Sequence, residues 1–257
     1  MMGVVEINLA QFALIYVLLL VVLFIMKKSK INQSKLLVVA SFRMTVQLVL
    51  AGLVLTYILE NPHPLFTVAY IIAMTTFATI RVLNQNKELN KKFKLAIGLS
   101  LAGSGTLIVF FFVQIVVGMD FFNPQYTIPL SGMIFGNAMT GLSLALKSFN
   151  ENLKAQRSRV ESLLYLGVTP KKILLPFVNN ALETALVPTM NRMMGMGIIS
   201  LPGMMTGQIL SGTLPMTAIL YQIAIMIAIT AVVCLAVFAA LIFGYKTLYN
   251  DRNQITI

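Results

Sequence analysis

Six stretches of this chain are apolar for long enough that no arrangement leaving them in water could cover them. The first is residues 7–26, and the others fall at about 36–59, 65–80, 95–117, 127–146 and 216–243. Twenty residues as a helix span roughly 30 Å, the thickness of the hydrocarbon layer. Charged residues make up only 11% of the chain against 58% apolar, and mean hydropathy is +0.87, whereas a soluble domain carries about a quarter charged residues. The expected fold is therefore an all-α integral membrane protein, with 1–257 as a single transmembrane domain. The first stretch has no basic residue before it and no small-residue cleavage site after it, so it is expected to stay as a helix.

Charge orients the set. The segments 27–35, 81–94 and 147–172, with the tail after Phe243, hold seventeen of the nineteen Lys and Arg; the alternate loops and the N-terminus hold none, only Glu6, Glu60 and Asp120. The positive-inside rule then puts the N-terminus outside and the C-terminus inside. That parity requires about seven crossings, so one more is expected between Lys172 and Pro215. Spread over every inner loop, the +11 net charge is a topology signal and a match to anionic lipid. It forms no concentrated patch with aromatics, and nucleic acid is excluded as a partner. The single Cys234 cannot form an intrachain disulfide, and the single His63 excludes a clustered His/Cys metal site.

The longest polar interruption, 147–172, carries its own pattern. Val160, Leu163, Leu164 and Gly167 fall at i, i+3, i+4 and i+7, one stripe of a short amphipathic helix. Gly167 suits the left-handed residue that ends it, and Thr169–Pro170 the start of the next helix. Two readings stay open: a helix lying on lipid headgroups, or a docking helix for a soluble partner.

The expected sixth crossing is unlike the rest. Asn179, Asn180, Glu183, Asn191 and Arg192 are too polar for a simple span, and Pro188 and the Pro202–Gly203 pair are expected to interrupt it. Broken segments survive at membrane depth only where protein or a water-filled cavity satisfies the freed backbone, and they mark substrate paths in many transporters. A helix could enter at Pro176; the preferred placement is an amphipathic cytoplasmic stretch to Arg192 with one broken helix near 193–215, which keeps Glu183 and Arg192 out of lipid. Arg43 and Gln47 lie one turn apart on the second stretch, Arg43 near enough the inner end to snorkel. Gly132 and Gly136 form a G-x-x-x-G for helix packing, with Asn137 beside them. Met204 and Met205 belong to a methionine-rich run that serves either as soft metal ligands or as apolar filler.

The spacing of Glu161 and Gly167, followed by Ile173, Leu175 and Pro176, resembles the cytoplasmic loop by which ABC-transporter permease subunits dock on their ATPase, with Ser162 and Leu163 in place of its two alanines. Residues 128–134 (IPLSGMI) with 136–139 (GNAM) resemble one signature of the FetB-type iron-export permeases. Residues 200–212 (SLPGMMTGQILSG), continued by Pro215 and Tyr221–Gln222, resemble the other, and Arg43 with Gln47–Leu48 fits the family's second segment. Plant proteins tied to aluminium tolerance are similar too. The resemblance implies a multi-pass permease of a bacterial cytoplasmic membrane, paired as a homodimer with two copies of an ABC ATPase that binds ATP and Mg. It implies an ATPase-coupling helix at Val160, Glu161, Leu163, Leu164 and Gly167. It also implies a path lined by Arg43, Gln47, Asn137, Pro202, Gly203, Met204, Met205 and Gln208. No G-x-x-x-x-G-K-[ST], H-E-x-x-H or G-x-S-x-G occurs, so the chain is expected to be no enzyme and to bind no cofactor itself. A secondary carrier, a channel, or a permease for a non-metal molecule are the alternative readings.

Overall fold

A computed structural model of the chain describes residues 8–250 and Gln254; Glu6, Ile7 and Arg252 lie outside the described residues. The described residues form helices joined by short turns and loops, and Met196 and Ser200 make an isolated bridge. The helices are α1 (Leu9–Lys28), α2 (Ser34–Glu60), α3 (Pro64–Gln85), α4 (Lys91–Phe110), α5 (Pro124–Ala155), α6 (Arg157–Tyr165), α7 (Pro170–Gly195), α8 (Gly203–Leu210) and α9 (Pro215–Tyr245). After α4 the chain winds on as a π-helix, Phe111–Val117, and stops at Gly118 in the left-handed region. Among the described residues, six helices are long and apolar enough to cross a membrane: α1 to α5 and α9.

Helix ends follow local chemistry. Asn8 and Gln11 form a capping box on α1. The lone His63 is a cap: its Nδ1 accepts from the Leu65 amide at 3.2 Å ahead of Pro64 at the first position of α3. Asn90 Oδ1 accepts from the Phe93 amide at 2.7 Å, and Asn123 Oδ1 from Gln125 at 3.0 Å.

The chain forms two compact units, residues 1–62 with 207–213, and residues 63–206 with 214–257. In the first, α1 and α2 make a hairpin, tied by a 2.6 Å hydrogen bond between Tyr16 and Thr45. In the second, α5 is central and packs on α3, α4, α7 and α9. Its Ile134, Ala138, Leu142, Ala145 and Phe149 are fully buried at steps of three and four; so are Phe93, Ile97 and Leu101 on α4. With lipid as apolar as these side chains, close packing holds the bundle. Side chains of neighbouring helices seat on glycines: Val233 on Gly141, Phe135 on Gly105 and Phe93 on Gly244.

The region from Lys172 to Pro215 departs from the preferred placement. Helix α7 continues through Pro176 and Pro188 and packs against α5 and α9, so residues 176–192 are not a separate surface stretch. Each proline removes one backbone bond, which a packed helix tolerates as a kink. The break comes later, at 196–202, where Gly197 is left-handed and Gly195 O receives the amides of Ile199 and Ser200. Short α8 follows, and a turn at Gly212 leads into α9.

Candidate functional site

One side of α5 and one side of α7 are left uncovered, and both are polar or small. On α5 the exposed positions Pro129, Gly136, Thr140, Lys147 and Glu151 step along one face of a helix whose opposite face is core. On α7 one exposed stripe runs Pro176, Asn180, Glu183, Val187 and Asn191, with Asn179 and Arg192 beside it; Leu175, Met190 and Met194 of the same helix are exposed as well. Cross-helix bonds hold the two helices side by side: Ser148 to Thr184 at 3.2 Å, and Arg192 Nη2 donating to Asn137 Oδ1 at 3.1 Å. Lys147 and Glu151 belong to the basic segment past the apolar block, but exposed amides and charges packed beside membrane helices face water or protein rather than lipid, so the rest of this face is the candidate path surface.

At one end the face widens into a cavity of about 670 Å³, lined by Asn84, Asn86, Glu88, Thr140, Lys147 and Asn150 among others. Asn150 Nδ2 donates to Asn86 Oδ1, whose own amide is anchored on the Val82 carbonyl. Lys154 sits 2.6 Å from Glu88, and its hydrogen bond and charge hold the Glu88 carboxyl below its ordinary value. Further along α5, Asn137 is fixed in orientation: Nδ2 donates to Met133 O at 2.8 Å, while Oδ1 receives Arg192.

The 147–172 segment contains the expected short helix, α6, with a complete Schellman ending. Gly167 is left-handed, its amide donates to Leu164 O at 2.9 Å, and Val168 N donates to Leu163 O at 3.0 Å. The stripe points the other way from the docking expectation. Val160 is buried, and Leu163 and Leu164 pack against the bundle core, so the chain itself covers this face. Burying the apolar stripe within the chain removes it from water without any partner. What α6 presents outward is Tyr165, 91% exposed, and Leu166, 78% exposed; Glu161 pairs with Arg157 at 2.9 Å.

Of the expected path residues, the structure brings Asn137 together with Arg192. Arg43 and Gln47 are exposed on α2, in the other unit. Pro202 and Gly203 mark the start of α8, where Met204 packs against the core and Met205 is buried. Gln208 has a buried Oε1 without a hydrogen-bond partner, as has Gln222 on α9. Of the two spaced glycines, Gly132 faces Met74 of α3, whose Cε would lie 3.5 Å from a Cβ there, whereas a Cβ on Gly136 would meet nothing within 4 Å. The packing glycines are Gly105, Gly141 and Gly244, which the sequence pattern does not single out.

Sequence reasoning did not single out the α7 stripe as a candidate path surface, because the same residues read as a cytoplasmic amphipathic helix. The signal was present in the spacing of Asn180, Glu183 and Asn191.

Comparison with known proteins agrees with a membrane role. The family described as Uncharacterised protein family (UPF0014) matches residues 9–249. The chain is 29% identical to the UPF0014 membrane protein YjkA of Bacillus subtilis, over 95% of this chain and 96% of that one. It is also 29% identical to the probable iron export permease protein FetB of Escherichia coli, over 95% and 93% respectively. The protein ALUMINUM SENSITIVE 3 of Arabidopsis thaliana is 33% identical over 83% of this chain and 77% of its own. No solved structure matches.

Proposed function

The chain belongs to the UPF0014 family of multi-pass membrane proteins, and from that premise we propose that it is the permease subunit of an ABC transporter. In this reading two copies pair with two copies of a separate ATPase, which holds ATP and Mg. The pair exports iron or a related metal species across the bacterial cytoplasmic membrane. The exposed polar face of α5 and α7 carries the proposal: in so apolar a chain it has no use except beside water, cargo or a second copy. Similarity to a probable iron export permease supports the cargo class and direction. The basic segments, the cavity at Asn86 and the end of α6 lie on the cytoplasmic side in the orientation set by charge. Tyr165 and Leu166 then offer an apolar contact to the ATPase.

Co-expression with candidate ATPases, followed by reconstitution into vesicles, tests this. A bound ATPase whose hydrolysis drives iron out of the cytoplasmic side is the expected outcome. Transport that persists without any ATPase and follows an ion gradient would make the chain a secondary carrier instead.

A further inference from the structure

Only two of the nineteen Lys and Arg lie outside the basic loops and tail: Arg43 and Arg192. Arg192 stands at the end of α7, and its neighbours fix its depth. It bonds Asn137, near the middle of α5, and Met193 Sδ lies 3.4 Å from the hydroxyl of Thr230, the midpoint of α9. Along α5, Asn137 is about 20 Å from Asn150 at the polar cavity, at 1.5 Å per residue. A basic residue in the last turn of a helix ordinarily complements the helix dipole at a water interface. Here the helix end lies beside the centres of two membrane-spanning helices, where an arginine is costly unless something polar meets it.

What meets it within the chain is neutral. Nη2 donates to Asn137 Oδ1 and Nε to Pro188 O at 3.4 Å. The ion pairs among the described residues are Lys147–Glu151, Lys154–Glu88 and Arg157–Glu161, and none involves Arg192. Its side chain is exposed on the α7 stripe, with donors of the planar fork unspent.

We propose that Arg192, oriented by Asn137, is the anchor for an oxyanion group of the cargo, a carboxylate or phosphate. The species that passes is therefore anionic, and any metal travels as its complex. The proposal rests on the permease reading for the word cargo. The charge of the whole chain agrees with it: basic loops gather anions and repel a free divalent cation. A guanidinium beside an amide is suited to bidentate recognition of an oxyanion.

The test uses the full chain in nanodiscs of zwitterionic lipid, without ATPase, and reads the thermal midpoint. Citrate and inorganic phosphate are titrated at ionic strength held constant with chloride; ferrous chloride alone is the third arm. One or both oxyanions should raise the midpoint saturably, and the one that does so separates a carboxylate from a phosphate cargo. Ferrous ion alone should not. The shift should vanish in Arg192→Gln and persist at weaker affinity in Arg192→Lys. Asn137→Asp keeps the arginine and supplies an internal carboxylate at the existing contact, so it should also lose the shift, even if Arg192→Gln does not fold. Equal shifts in wild type and Asn137→Asp, or no oxyanion response in wild type, overturn the proposal. Because no ATPase is present, that failure leaves the permease reading standing, and failure of ATPase pairing leaves this result standing.

Discussion

Gly141 leaves no room for a side chain, since a Cβ there would lie 2.6 Å from Cγ1 of Val233 on α9. Gly141→Ala must push two packed helices apart and is expected to cost about 1–3 kcal/mol, the usual range for overpacking. A lower thermal midpoint in detergent checks it. Gly136→Ala has open space and should leave the isolated chain unchanged. The sequence marks Gly132 and Gly136 by their spacing, yet spacing cannot say whether the face they share turns inward. That depends on the register of α5 against α9, which only the fold decides. The methionines are a second residue-scale case. Met205 is buried and Met204 leans on the core, so replacing both with Leu, nearly volume-conserving, should leave vesicle iron flux within about twofold. A severalfold loss would assign the thioethers to the path. At the cavity, Glu88 has its pKa lowered by Lys154. A depressed carboxylate stabilises the fold above its unfolded pKa and loses that contribution as pH falls through the folded value. Both side chains are largely exposed, so the effect is small. The difference in midpoint between wild type and Glu88→Gln should shrink to nothing as the medium is acidified below the carboxylate range.

Among the elements, α6 shows how far pattern reading reaches. Its stripe, its left-handed Gly167 and the restart at Thr169–Pro170 were all legible, because caps and periodicity are local chemistry. Which body the stripe would press against was not legible, because an apolar face covered by a partner and one covered by the chain look alike in sequence. The two uses separate by mutation. Val160→Asp buries a carboxylate in the core and should prevent folding. Leu166→Asp, at 78% exposure, should leave the fold intact and abolish ATPase co-purification. Retained complex with Leu166→Asp would move the docking surface away from α6. Gly167→Ala, at φ +79°, should cost about 1–2 kcal/mol through Cβ strain. In α7 the expected interruption at Pro188 does not occur, because a packed helix tolerates Pro176 and Pro188, whereas the break at 196–202 falls inside the expected 193–215, where Gly195 and Gly197 accept a turn just ahead of the Pro202–Gly203 pair.

For the whole molecule, the apolar blocks located α1 to α5 and α9 to within a few residues on the apolar cores, since length and hydropathy leave little choice. Helix α5 ran nine residues past its expected end, to Ala155, because polar helix surface beyond the lipid carries no hydropathy signal. The open side of α5 and α7 now sets the question of assembly. Exposed Gly136 and Thr140 lie on one stripe with Lys147, and a symmetric pair of chains would bring like faces together across a two-fold axis. Two-fold pairing is also what two ATPase subunits hydrolysing ATP between them require. The pairing hypothesis is tested in chains whose native Cys234 is replaced by Ala, carrying Gly136→Cys or, as a control, Leu95→Cys on α4, where the side chain is exposed in a groove beside α9. Mild oxidation in membranes should cross-link the first into a dimer and leave the second monomeric. Gly136→Leu, at a position where a Cβ meets nothing within 4 Å in the single chain, should then weaken the dimer in native mass measurements. If Gly136→Cys stays monomeric and native mass shows one permease chain in the transporting complex, the polar face lines a path within a single chain.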